Sequence, residues 1–327
     1  MKRTLLLICT LFCANVLMAQ EQLATLKHNG NISVYYGINA FKEAYNAASN
    51  GDTINLSDGN FNGTNISKRL VLRGNGAITD TARGSNGTLI AGNVTLHLQD
   101  SLHVEVEGIN FQNNLELNTI AGSSKIKLSK CVIYNLEVGE IGNYGSKTIS
   151  DLFIVNCIIR NNNVYPTINS LVRFYNCVIR DMSRYSFFDN CIIIGGTYSD
   201  EEYNINNNII FKDSDNSNKF TYANSYYGII CGYTSANGSN NTFMNATDVF
   251  ETWNGSTSSP LITNPETYRL KENVANTILG NDGTQVGIFG GAYPFDFTPS
   301  YTVIKRLNVS QRTNAEGMLG IEVELMD

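Results

Sequence analysis

Ile126–Tyr134 reads IKLSKCVIY, Leu152–Arg160 LFIVNCIIR, Val172–Arg180 VRFYNCVIR and Ser186–Ile194 SFFDNCIII, and the four align without a gap. With the cysteine as position zero, position minus three is Leu128, Ile154, Phe174 and Phe188, and position plus two is Ile133, Ile159, Ile179 and Ile193. The residue before the cysteine is Lys130, Asn156, Asn176 and Asn190. Each stretch alternates apolar and polar residues with period two, the signature of a half-buried strand. The alternation breaks at the cysteine. A bent or left-handed residue there turns the chain so that the next strand again faces inward.

The frame extends both ways. Downstream, Asn208, Ser225 and Asn241 take position zero; upstream, Ile109, Asn75 and Gly59 do. Successive anchors are 16, 34, 22, 26, 20, 14, 17, 17 and 16 residues apart. The gap of 34 is read as hiding one further coil at Thr88–Leu98 (TLIAGNVTLHL). A fixed local pattern with variable spacing marks a solenoid whose core is constant and whose loops differ. The other coils leave no room for a strand plus a crossover helix. The expectation is an all-β chain of about ten coils, stacked at roughly 4.8 Å with like residues in columns.

This pattern resembles the right-handed parallel β-helix of secreted bacterial, pectate-lyase-like repeat proteins. The resemblance covers roughly residues 30–295, and the β-helix domain it implies is drawn at 30–298. Tyr36–Asn50 (YGINAFKEAYNAASN) sets Phe41, Ala44, Tyr45 and Ala48 on one helical face and resembles the N-terminal capping helix, expected at about 38–49. Tyr268–Phe295 resembles the closing segment, in which a last strand and a Gly-rich turn finish the core. Beyond it, residues 299–327 read as a hairpin tail, with Tyr301–Val309 and Met318–Met326 as its strands.

The first 19 residues read as a secretory signal peptide: Lys2 and Arg3, an apolar Leu5–Met18, then Ala19. The apolar run is too short for a membrane span, and no second one follows. The protein is therefore expected to be secreted, to the periplasm, the outer surface or beyond. The chain has 327 residues and a net charge of −6, with 16% charged residues, which excludes a basic nucleic-acid binder. A hydrophobic share of 42% excludes disorder. The 44 Asn and 28 Gly suit a fold built of tight turns.

Four columns could carry chemistry. Cys131, Cys157, Cys177 and Cys191 read as a buried stack of small side chains. A disulfide between neighbouring coils is the alternative, and a row along one line does not converge as zinc ligands must. Asn156, Asn176 and Asn190 read as an amide ladder, bonded to one another and to the turn backbone. Val132, Ile158, Val178, Ile192, Ile209 and Tyr226, at plus one, form an outward apolar stripe. It is covered by a loop such as Thr242–Leu270, or by a second copy of the chain. Outward Tyr134, Arg160 and Arg180 at plus three, with Arg173 and Tyr175, are the glycan-binding candidates, since an aromatic ring stacks on a sugar face and an arginine forks to a carboxylate.

No two carboxylates fall side by side in the columns, so the acid–base pair of a glycoside hydrolase is not evident. The functional expectation is an exported, non-catalytic surface protein that interacts with a polysaccharide or another cell-surface component, with no cofactor. One alternative is a polysaccharide lyase in which Arg160 and Arg180 neutralise a uronate, the only case calling for Ca²⁺. The other is a structural module that self-associates through the apolar stripe.

Overall fold

A computed structural model of the chain describes residues 22–80, 85–98, 103–119, 125–138, 151–164, 171–180, 186–194, 204–206, 208–211, 225–226, 229–231, 238–239, 242–253, 265–292, 294–295, 304–313 and 319–325. The leader read at residues 1–19, Asp181, Asn207 and the acidic run 200–202 lie outside them.

The chain is mostly β, with parallel strands in two stacked sheets and few helices, compatible with an all-β parallel solenoid. It passes ten times from the first sheet to the second. The strand pairs run from Asp52–Leu56 with Gly59–Asn62, through Leu70–Arg73 with Thr88–Ala91 and His103–Glu107 with Asn110–Thr119, to Gly238–Ser239 with Thr242–Met244. The four quoted repeats supply the central pairs, among them Lys125–Ser129 with Val132–Val138 and Asp151–Val155 with Ile158–Val164.

Register explains why the pattern repeats. Ile54, Leu72, Val106, Leu128, Ile154, Phe174 and Phe188 are successive partners in the first sheet. Phe61, Ile90, Phe111, Ile133, Ile159, Ile179 and Ile193 are successive partners in the second. Both columns are buried in one common core. Like side chains then lie over one another: the rings of Phe174 and Phe188 stack 4.9 Å apart and 3° from parallel, a contact that adds about 0.5–1.5 kcal/mol to area burial.

The corner between the sheets has one backbone solution in the central pairs. Lys130, Asn156, Asn176 and Asn190 sit at φ of 51° to 56°, and Gly108 occupies the same place at 67°. Left-handed backbone is strained for most L-residues but tolerated by Asn and free for Gly. The N–H two residues further on then bonds across to the preceding pair, as from Ile158 to the Cys131 carbonyl at 2.9 Å.

Three expectations are corrected. The 34-residue gap holds no extra coil, because Arg73 pairs directly with Glu107. Thr88–Ala91 is the second-sheet strand of the pair begun by Leu70–Arg73, and Val94–Leu98 extends that sheet beside Leu115–Thr119. Ser225 is not an anchor: it pairs with Ile205 and so takes position minus three, while Ile229 follows Ile209 at plus one. Nor does Tyr268–Phe295 close the end with a last strand; it lies along the flank of the strand pairs, as described below.

The N-terminal end carries more than the helix. Ala40–Ala47 is helical and buries Ala40, Phe41, Ala44 and Tyr45. Beside it, Leu23–His28 joins the first sheet antiparallel to Asp52–Leu56, and Asn31–Tyr36 adds the edge strand. At the other end, Ile304–Thr313 and Leu319–Leu325 form an antiparallel pair of their own.

Candidate functional site

The strands that bury plus two turn plus one and plus three outward. Val132, Ile158, Val178, Ile192 and Ile209 nevertheless are buried, in a second apolar layer separate from the core. Their cover is the described part of the span from Ala246 to Phe295. It comprises a short helix (Ala246–Val249), a single 3-10 turn (Pro265–Tyr268), a second helix (Glu272–Thr277) and a glycine-rich strap, and it lays Val249, Phe250, Tyr268, Leu270, Val274, Val286, Ile288 and Phe295 on the stripe. The cover thus begins inside the expected Thr242–Leu270 and runs well beyond it. These five stripe residues are buried within the chain itself.

The Asn column is what fastens the strap. Asn156 Nδ2 donates to the carbonyls of Ile288 and Gly290, both at 2.8 Å. Asn176 Nδ2 donates to Gly287 at 3.3 Å. Asn190 Nδ2 donates to Asn281 Oδ1 at 2.9 Å, and its Oδ1 accepts from the Asn281 N–H at 3.1 Å. The expected amide-to-amide ladder lies elsewhere, in the long second-sheet strands: Asn161 donates to Asn135 at 2.5 Å and Asn135 to Asn114 at 2.8 Å.

The four cysteines are free and buried. Their S–H groups donate to nearby carbonyls, as from Cys157 to Val155 at 3.3 Å. Burial pushes the Cys157 and Cys177 thiols well above the usual thiol range, so they remain protonated and unreactive. Among the described residues no three His, Cys, Asp or Glu side chains gather as metal ligands would. No described helix is long and apolar enough to cross a membrane.

One stretch of the outer face escapes the strap. Between Arg73 and Thr88 the corner is interrupted by an insertion, which is tied down on Asp58. The buried carboxylate of Asp58 accepts from Asn75 Nδ2 at 2.6 Å, Ser85 Oγ at 2.8 Å and the Asn86 N–H at 3.2 Å. Gly74 sits where a Cβ would overlap the Gly108 carbonyl, so the insertion leaves the sheet at a point only glycine fits. Ala77 and Ile78 pack into the stripe's layer. Between this insertion and the sheet lies a groove of about 370 Å³, within the usual small-ligand range of roughly 300–1,000 Å³.

Leu89, Asn110 and Val132, at plus one of successive strands, contribute to its lining, as do Gln112, Tyr134 and Arg160 at plus three. The insertion adds Ala77, Ile78, Thr79 and Asn86. The Arg160 guanidinium lies over the Tyr134 ring, 5.3 Å from its centroid, and Tyr134 is 42% exposed. Nearby, Tyr268 is buried with its hydroxyl unbonded. Burial pushes that hydroxyl far up, and the charge of Arg160 draws it only partly back.

The five glycan-binding candidates therefore do not form one surface. Tyr134 and Arg160 meet in the groove, and Arg180 is not among its lining residues. Arg173 and Tyr175 are on the first sheet, across the strapped corner. Arg173 is paired with Asp151 at 3.7 Å and stands between Phe153 and Phe187 in the strand order, and Tyr175 packs on Phe153 at 5.2 Å. Burial and the neighbouring Asp189 raise the Tyr175 hydroxyl. A further correction concerns carboxylates: Glu116 and Glu137 are direct partners in adjacent strands. The alternation frame stopped at plus three and so missed them. The insertion residues were missed because the 34-residue gap was filled with a coil; the length of that gap was the available signal. Comparison of the chain with protein-family models, with curated proteins and with solved structures finds no match to any of them.

Proposed function

We propose that the chain is an exported, non-catalytic glycan-binding protein, that its two sheets belong to a right-handed parallel β-helix, and that the groove beside Tyr134 and Arg160 is its binding site. The carrying observation is the lining: an exposed aromatic ring with an arginine over it, amides at Asn86, Asn110 and Gln112, and the apolar side chain of Leu89. A sugar offers the complementary set, hydroxyls at its edge and C–H groups on its faces. The N-terminal leader pattern and the net charge of −6 fit a partner outside the cell, a polysaccharide or another cell-surface component.

The test is affinity electrophoresis of the secreted chain in gels cast with neutral and acidic polysaccharides. Retardation is expected in at least one gel, and Gln112→Ala with Tyr134→Ala should abolish it. No retardation in any gel would overturn the reading. Growth of unsaturated-product absorbance on incubation with uronate polymers would replace it with the lyase alternative. That alternative has lost one intended residue from the site, since Arg180 does not line the groove. Ca²⁺ has a place only there.

A further inference from the structure

We propose that the groove selects an anionic sugar residue, with the Arg160 guanidinium as the group that selects it and Tyr134 as the plate that holds that guanidinium in place. This rests on the glycan-binding reading and adds the class of sugar to it.

The argument begins from charge. Among the described residues the groove lining contains no aspartate, glutamate, lysine or histidine, so Arg160 is the one charged residue among them. Among the described residues no carboxylate pairs with Arg160, whereas Arg173 is matched by Asp151 and Arg269 by Glu266. The partner that Arg160 does have is the Tyr134 ring. Stacking on an aromatic face restrains a guanidinium without using its in-plane N–H groups. Those donors are arranged as a fork that fits a carboxylate or a sulfate bidentately. A solvated arginine would lose much rotamer freedom on gripping an anion; one already laid on a ring loses less.

The rest of the lining accounts for the remainder of such a ligand. Asn110 is the ladder partner of Val132 and follows Leu89 in the strand order, and Gln112 and Tyr134 stand one step further on, where the register shifts. Asn86 and Thr79 face them from the insertion. The amides serve hydroxyls, and half-buried Leu89 serves a ring's C–H face. A neutral sugar would satisfy these groups and leave the arginine unanswered. A uronate or a sulfated sugar answers both.

Isothermal titration of the full chain with three oligosaccharides of equal length tests this: one of uronic acid, its carboxyl-reduced neutral counterpart and a sulfated one. Wild type should bind an anionic oligosaccharide at least 10-fold tighter than the neutral one, and rising salt should narrow the gap. Arg160→Gln should bring the anionic-to-neutral ratio near unity. Arg160→Lys, which keeps the charge but not the fork, should fall between. Arg180→Gln, outside the groove, should leave the ratio as in wild type. Far-ultraviolet circular dichroism of each variant checks that it is folded, and Arg160→Lys remains decisive if Arg160→Gln is not. Preference for the sulfated over the uronic ligand supports the anion site and names its source. Equal binding of neutral and anionic ligands, or a ratio that survives Arg160→Gln, overturns anion selection while glycan binding stands. Failure of all three to bind overturns both.

Discussion

The central strand pairs and the N-terminal ones turn the same corner by different means, and the groove exists because of the difference. From Lys130 to Asn190 the corner is a two-residue bend repeated with one left-handed residue each time. A regular corner gives a regular outer stripe, and a regular stripe can be sealed by a single strap running along it. In the N-terminal pairs, Gly108 still keeps that bend at φ 67°, but Gly59 turns at φ 124°. One corner there is broken open by the insertion that Asp58 pins. Regularity makes a sealed wall, and one irregularity makes a site.

The contrast is broken most severely at the strap. Gly290→Ala would drive a Cβ into the carbonyl of Gln285, and backbone cannot give way as a side chain tip can. The strap should fail to seat and the stripe should lie bare, at a cost of about 3 kcal/mol or more. Chemical denaturation measures that cost, and binding of a hydrophobic dye to the folded variant reports the bared stripe. A denaturation midpoint equal to wild type would show that the strap does not hold the wall. Asn156→Ala should be nearly as harmful. It forces a Cβ-bearing residue without Asn's tolerance to keep φ 51°, costing about 1–2 kcal/mol, and leaves two buried carbonyls short of a donor, costing about 1–3 kcal/mol. Asn156→Gly separates the two, since it restores the backbone freedom and not the donors.

The same corner offers a gain. Lys130 is the one central corner residue that is neither Asn nor Gly, yet it holds φ 51°. Lys130→Asn should raise stability by about 1 kcal/mol, read as a shift in denaturation midpoint. A neutral or negative result would mean that the lysine side chain contributes as much as its backbone strain costs.

Most of the core was readable because burial imposes a period. Leu128, Ile154, Phe174 and Phe188 fall at one offset from their cysteines, and the sheets place them in one column. The offset failed where no side chain enforces it. In the stretch from Phe220 to Gly228, three tyrosines among small and polar residues allow more than one register, and the pairing of Ser225 with Ile205 departs from the frame by three residues. The strap was legible as a need, because a bare apolar stripe demands a cover, and only partly as a segment, because its grip is through backbone carbonyls that no side-chain pattern announces. Tyr134 and Arg160 were legible at a shared offset. Arg173 and Tyr175 stand on the other sheet, and one sequence line cannot say on which side of a corner a residue stands.

Glu137 sharpens the comparison at the smallest scale, because it shows a column that the fold tolerates rather than uses. Strand register sets its carboxylate beside that of Glu116, and Asn114 Nδ2 supports it with one hydrogen bond at 2.9 Å. Burial first, and the charge of Glu116 second, raise the Glu137 carboxyl above its ordinary 4.5. A carboxyl with a raised folded-state value favours folding most when protonated. Its contribution is complete below the unfolded value and is lost as pH rises through the folded one. At neutral pH the charged pair therefore weakens the fold. Glu137→Gln, which keeps the shape and can still accept from Asn114, should stabilise the protein by about 0.5 kcal/mol at pH 7. The advantage should shrink as pH falls through the acid range and the wild-type carboxyl takes up its proton. Thermal melts of both proteins across that range read the difference directly. A gap that stays constant with pH would assign it to packing, and the charge in this column would then cost nothing.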